Sequence, residues 1–209
     1  MNTEKGYLLV AEDNPDILNL LDTTLKFGGH RVVTACNGQE ALEAIARELP
    51  ALVITDVLMP KLDGFGLVHR LRINPETREI PVVFVTATYV MPEDREFALS
   101  IGVTRFIEKP VDIEKFLSVI SELLVKGTPA KLELLDEFSF YNGYRKRLEV
   151  KLTQKNAQIT RTEHLLETSS EEEKLPLKVS LQLAIREREE IHLLLAQVRE
   201  HFDKNIKPE

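Results

Sequence analysis

The chain has one cysteine, Cys36, no tryptophan, and only 6% aromatic residues among its 209. A single cysteine excludes an intrachain disulfide and any cysteine-based zinc site, and a lone thiol fits a reducing compartment. No run approaches the ~18 apolar residues of a membrane span. The start, MNTEKGYLLVAEDN, lacks the basic and apolar regions of a secretory signal, so a cytoplasmic location is expected. Positive charge is also outnumbered. There are 27 Lys and Arg against 34 Asp and Glu, a net charge of −7, which argues against a protein that coats nucleic acid or an anionic membrane. What is present is an ordinary apolar share of 43%, enough for one large domain or two modest ones.

Glycine and proline are distributed unevenly. Eight of the nine glycines precede residue 130, and Pro176 is the only proline between residues 131 and 206. Residues 1–127 carry 13 basic and 19 acidic side chains, net −6, and residues 128–209 carry 14 and 15, net −1. The grammar changes at Lys126-Gly127-Thr128-Pro129, which places a boundary between domains 1–127 and 128–209.

The first half alternates short apolar runs (Tyr7–Ala11, Arg31–Ala35, Ala51–Thr55, Val82–Thr86, Thr104–Glu108) with helical patterns at about 15–27, 38–48, 64–73, 92–101 and 111–126. Near-continuous apolar runs mark strands covered on both faces. Five βα units in succession predict an α/β fold, a doubly wound five-stranded parallel sheet of flavodoxin-like order 2-1-3-4-5. The second half reads as all-α. One 4,3-spaced seam runs Leu134, Phe138, Tyr141, Arg145, Leu148, Leu152, Lys155, Ile159, Thr162, Leu166; another runs Leu177, Leu181, Ala184, Arg188, Ile191, Leu195, Val198, Phe202. This period predicts a helical hairpin or coiled coil. The first helix is expected to run about 37 residues. The polar stretch Thr168 to Pro176 is expected to form the turn, with Pro176 in the first turn of the second helix.

Ligands of open α/β sheets sit beyond the carboxyl ends of the strands. Here those ends carry Glu12-Asp13, Asp56, Thr86 and Glu108-Lys109-Pro110. Clustered carboxylates repel unless a cation joins them, and a hard divalent ion such as Mg²⁺ suits one or two carboxylates plus waters. A phosphoryl group would engage ion, ammonium and hydroxyl together, and a carboxylate can attack phosphorus to form an acyl phosphate. Each residue taken singly could be a strand-end cap or a solvated loop charge. Their joint occurrence at four strand ends is what points to a site.

With those residues in place, the sequence resembles the receiver domain of two-component response regulators. The resemblance rests on LLVAEDNPDI, VITDVLMPKLDGFGLV, VVFVTA and RFIEKP, over about residues 5–126. It implies that Asp56 is the phosphoacceptor. It further implies that Glu12, Asp13, Asp56 and the backbone carbonyl of Leu58 hold Mg²⁺, with Mn²⁺ as an alternative. Lys109 would pair with the phosphoryl group or with Asp56. Thr86 and Phe106 would be the switch hydroxyl and switch aromatic. Pro60, Gly64 and a cis Pro110 match the family's loops. A histidine kinase or histidine phosphotransfer protein would donate the phosphoryl group. Such a protein is a phosphoacceptor and not an enzyme acting on a separate substrate. Glu12 stands where Asp is commoner. Leu58 and Thr88 occupy positions where the family tunes dephosphorylation, and a bulky Leu58 suggests a slowly hydrolysed aspartyl phosphate.

The second half lacks a short, basic helix-turn-helix and is too short for cyclase or kinase output. The expected role is a homodimerising or partner-binding helical module acting on an unknown downstream protein. The alternatives are helices folded on the receiver, a phosphorelay through His164 or an external protein, a constitutive scaffold, and a nucleic-acid-binding output. His164, His192, His30 and His69 read most simply as surface residues, and Cys36 as a small loop residue.

Overall fold

The structure, a computed structural model, describes residues 6–87, 91–127 and 135–205. The chain divides into two compact units, Met1–Leu135 and Asp136–Glu209.

In the first unit five strands, β1 (Leu8–Ala11), β2 (Val32–Ala35), β3 (Leu52–Thr55), β4 (Val82–Thr86) and β5 (Arg105–Glu108), alternate with five helices: α1 (Pro15–Phe27), α2 (Gly38–Arg47), α3 (Gly64–Ile73), α4 (Pro92–Ser100) and α5 (Ile113–Lys126). The sheet is parallel in the order β2-β1-β3-β4-β5, the flavodoxin-like arrangement. Every residue of β1, β3 and β4 is buried, which explains their apolar runs: helices cover both faces. One core layer joins Leu8, Val10, Leu52, Ile54, Val83 and Val85 of the strands to Leu21 and Leu25 of α1 and Phe116, Ile120 and Leu123 of α5.

Helix starts follow local chemistry. Asn14, Asn37, Asp63 and Asp112 each accept backbone N–H bonds at an N-terminus, and Pro15 sits where its missing N–H has no partner to lose. Helix α5 ends at Gly127, whose φ of +69° is one that L-residues adopt only with strain. Leu134, Thr128 and Pro129 of the expected seam and boundary lie outside the described residues.

The buried Arg72, 3% exposed, ties the lower edge of this unit together. Its guanidinium donates to the carbonyls of Gly102, Arg78 and Ile80. Burial holds its pKa down, to about 10.

The second unit is an antiparallel hairpin of α6 (Glu137–Thr168) and α7 (Glu171–Asn205). Tyr141 stacks on His201 with ring centroids 3.8 Å apart. Fourteen residues further along α6 and fourteen back along α7, Lys155 pairs with Glu187. Along the seams, Leu148, Ile159, Thr162, Ala184, Ile191, Leu195 and Val198 are buried, whereas Phe138 is 54% exposed. Phe140 and Tyr144, off the expected seam, are buried instead.

Two expectations need correction. Helix α6 has 32 residues, because its cap is Asp136, which accepts from the N–H of Ser139 at 2.9 Å. The turn is only Ser169-Ser170, and Pro176 lies inside α7. The start is set by Ser170 and Glu173: the N–H of Ser170 donates to Glu173 Oε2 at 3.1 Å, and its hydroxyl to the same oxygen at 2.8 Å. Pro176 then forfeits a single helical hydrogen bond in the second turn.

Candidate functional site

The parallel register brings the sequence-distant polar residues together. Ala11 pairs with Thr55, and Thr86 with Glu108, so Glu12, Asp56 and Lys109 each emerge one step beyond the sheet. Backbone bonds fix those steps: Asp56 N–H to Ala11 O at 2.9 Å, and Lys109 N–H to Thr86 O at 3.0 Å.

Carboxylate oxygens of Glu12, Asp13 and Asp56 lie within 4.8 Å of one another. The Lys109 ammonium lies between two of them, 2.7 Å from Glu12 Oε2 and 2.8 Å from Asp56 Oδ2. The Asp56 Oδ1 accepts the N–H of Val57 at 2.6 Å, and Glu12 Oε1 accepts that of Asn14 at 3.2 Å. Glu12 is 1% exposed. Burial, then the charge of Asp56, push its pKa up to about 7, against the pull of Lys109. Burial opposes the charge of Lys109, but Asp56 and Glu12 outweigh it and hold its pKa above the ordinary lysine value. Three carboxylates against one ammonium leave an excess of negative charge in a confined space. That excess, with oxygen-only donors, fits a hard divalent cation.

The loop after Asp56 is shaped by close packing. A Cβ on Gly64 would lie 2.4 Å from the Asp56 carbonyl oxygen, so only glycine lets α3 start there. The Gly64 N–H donates to Val57 O at 2.7 Å, and Lys61 adopts a φ of +65°. The Lys109-Pro110 bond is cis.

Thr86 is fully buried at the end of β4, and Leu58 is buried after Asp56. Phe106, partly buried, sits opposite Phe84 in the neighbouring strand, with ring centroids 6.2 Å apart. Its ring carries the Arg95 guanidinium, 5.1 Å from the centroid, and Arg95 also pairs with Glu108. Thr88 lies outside the described residues. His164, in α6, is exposed, with Nδ1 3.6 Å from Glu167. His192 is also exposed and Cys36 is exposed and free, whereas His30 and His69 are partly exposed.

Sequence reasoning missed the backbone donors of Val57 and Asn14, which carry no side-chain signature. It also missed Arg72 and the Tyr141–His201 stack. The Asn14-Pro15 pair, an N-cap followed by proline, was the available signal for the turn that aims Glu12.

The response regulator receiver domain model matches residues 8–121. A "Probable transcriptional regulator ycf27" of Pyropia yezoensis is 36% identical over 124 residues, 59% of this chain and 49% of the relative. The chain thus spans about half the length of that regulator. Among solved structures, the receiver domain of a signal transduction histidine kinase from Syntrophus aciditrophicus is 34% identical, with a TM-score of 0.54, covering 60% of this chain and 96% of that one. The chemotaxis response regulator CheY4 of Vibrio cholerae is 27% identical, with a TM-score of 0.53, covering 56% and 98%. Fold and strand-end cluster together define a receiver, and these matches agree. The chain belongs to the response regulator receiver family, and its first unit is the receiver domain of a two-component response regulator.

Proposed function

We propose that Asp56 accepts a phosphoryl group from a histidine kinase or histidine phosphotransfer protein, and that the helical hairpin passes the signal to a partner. The observation that carries this reading is the Asp56 carboxylate, held by Lys109 and Val57 N–H within a cluster of three acids at the carboxyl edge of the sheet. An Asp56 carboxylate oxygen attacks phosphorus, the new P–O bond forms, and the donor's P–N bond breaks, its electron pair leaving with the imidazole nitrogen. Lys109 transfers its interaction from Asp56 to the incoming phosphoryl oxygens, so charge already present meets charge that develops there. Glu12, Asp13, Asp56 and the Leu58 carbonyl are the residues to hold Mg²⁺, or Mn²⁺, which when bound neutralises the carboxylates and polarises phosphoryl oxygens.

In this reading Thr86, at the end of β4, donates its hydroxyl to the phosphoryl group, and Phe106 turns inward as Thr86 moves. That motion releases the ring from Arg95 and changes the surface of β5 and α4. The hairpin, two long helices without a glycine-rich or nucleophilic motif, reads as an assembly and partner-binding module. The experiment is transfer from a purified phosphohistidine donor to the full chain, with EDTA and Asp56→Asn as controls. Labelling that requires the divalent ion and Asp56 supports the reading. Labelling that persists in Asp56→Asn overturns it.

A further inference from the structure

Helix α7 carries a second apolar stripe on the side away from α6. Leu175, Val179, Leu183 and Leu193 are 71%, 60%, 54% and 65% exposed. The opposite face of the same helix buries Ala184, Ile191, Leu195 and Val198. At 3.6 residues per turn Leu193 lies five turns, about 27 Å, along the same line as Leu175, with Val179 about 40° and Leu183 about 80° round to one side of that line. Large aliphatic side chains gathered on the solvent-facing side of a helix differ from singly scattered ones, which need no explanation.

The stripe is self-complementary. Leu175 and Leu193 are equidistant from position 184. The exposed Lys178 and Glu189 that flank the stripe are centred within half a residue of the same point, and Leu183 adjoins it. The gap before Leu193 is spanned by Arg186 and Glu190, Nε to Oε1 3.2 Å. Two antiparallel copies of α7 crossing there would set Leu175 against Leu193 of the second copy and Lys178 against its Glu189, with the two Leu183 side chains beside the axis. A parallel pair would instead oppose lysine to lysine and glutamate to glutamate, which is repulsive.

We propose that this stripe is a docking surface for a second copy of the chain, packed antiparallel about a twofold axis near position 184. An isologous contact of this kind closes on itself as a dimer. The proposal rests on reading the hairpin as an assembly module, and it is independent of the phosphoryl chemistry at Asp56.

The test is the molar mass of the full chain by sedimentation and light scattering, with and without Mg²⁺ and beryllofluoride. A dimer in either condition is expected. Leu183→Glu should raise its dissociation constant by about 100-fold or more without loss of helix signal, since Leu183 is 54% exposed. Lys178→Glu and Glu189→Lys should each weaken it by about 10-fold, and the double variant should recover most of that loss. In a Cys36→Ser background, Leu183→Cys should cross-link copies on oxidation, and Leu165→Cys on α6 should not. A monomer in both conditions at roughly 100 μM, a dimer indifferent to Leu183→Glu, or a charge swap without recovery would each overturn the proposal. Phosphoryl uptake, measured on the same samples, stays intact in all of these variants if the receiver reading is right, so the two failures are distinguishable.

Discussion

Two glycines in the first turn of α3 offer a controlled comparison. Alanine at position 64 would place its Cβ 2.4 Å from the Asp56 carbonyl oxygen and 2.9 Å from Val57 Cα. Ordinary contact begins near 3.4 Å, so about 1 Å must come from backbone movement. The Gly64 N–H is bonded to Val57 O at 2.7 Å. Phe65, fully buried, is wedged against Phe84 and Phe97 at centroid distances of 5.4 and 5.3 Å, so α3 cannot simply retreat. Alanine at position 66 meets Leu62 Cδ1 at 2.6 Å, the end of a side chain that can change rotamer. Both substitutions gain about 1 kcal/mol of helix propensity. Gly64→Ala is therefore expected to lose about 2–3 kcal/mol net, and Gly66→Ala to stay within about 1 kcal/mol of the parent. Urea unfolding of the full chain, with m-values compared, reads the difference. Because the clash moves the backbone of Asp56 itself, Gly64→Ala should also slow phosphoryl uptake about 10–100-fold. Equal midpoints for the two variants, or a larger loss at position 66, would refute the packing argument.

Two further perturbations test the charges. Arg72→Met should destabilise the receiver by about 2–4 kcal/mol in urea, because the carbonyls of Gly102, Arg78 and Ile80 lose buried donors; a loss under about 1 kcal/mol would mean water replaces the guanidinium. Glu12 has a folded pKa of about 7, raised from 4.5 by burial and Asp56, so the folded state holds a proton that the unfolded state has released. Its contribution therefore falls as pH rises from the unfolded value through about 7, by at most about 3 kcal/mol. In Mg²⁺-free buffer Glu12→Gln should flatten that slope in calorimetric stability measured against pH, and an unchanged slope would remove Glu12 as its source.

The receiver was legible in the sequence because doubly covered strands write themselves as apolar runs. The ends of β1, β3, β4 and β5 also carry polar residues that interrupt those runs at once. Right-handed crossovers leave few orders for five βα units, and 2-1-3-4-5 is the natural candidate among them. In the site, the side chains of Glu12, Asp13, Asp56 and Lys109 were readable as an acidic cluster with one cation. The backbone donors of Val57 and Asn14 were not, since any residue supplies an N–H and only folding aims it. Arg72 escaped notice because an arginine in an amphipathic helix normally reaches solvent. In the hairpin the 4,3 spacing located both helices and most of their contact faces. Proline's preference for the first turn suggested too late a start for α7. The competing signal, Ser170 followed three residues later by Glu173, ties the Ser170 N–H and hydroxyl to the Glu173 carboxylate and admits Pro176 one turn further in.

The strand-end cluster is expected to make Asp56 the phosphoryl acceptor. Its most direct test is intact-protein mass after incubation with Mg²⁺ and acetyl phosphate, for the parent chain, Asp56→Asn and His164→Ala. The mass of one added phosphoryl group is expected on the parent and on His164→Ala, sensitive to hydroxylamine as an acyl phosphate, and none on Asp56→Asn. Uptake by Asp56→Asn, or its loss in His164→Ala, would contradict it.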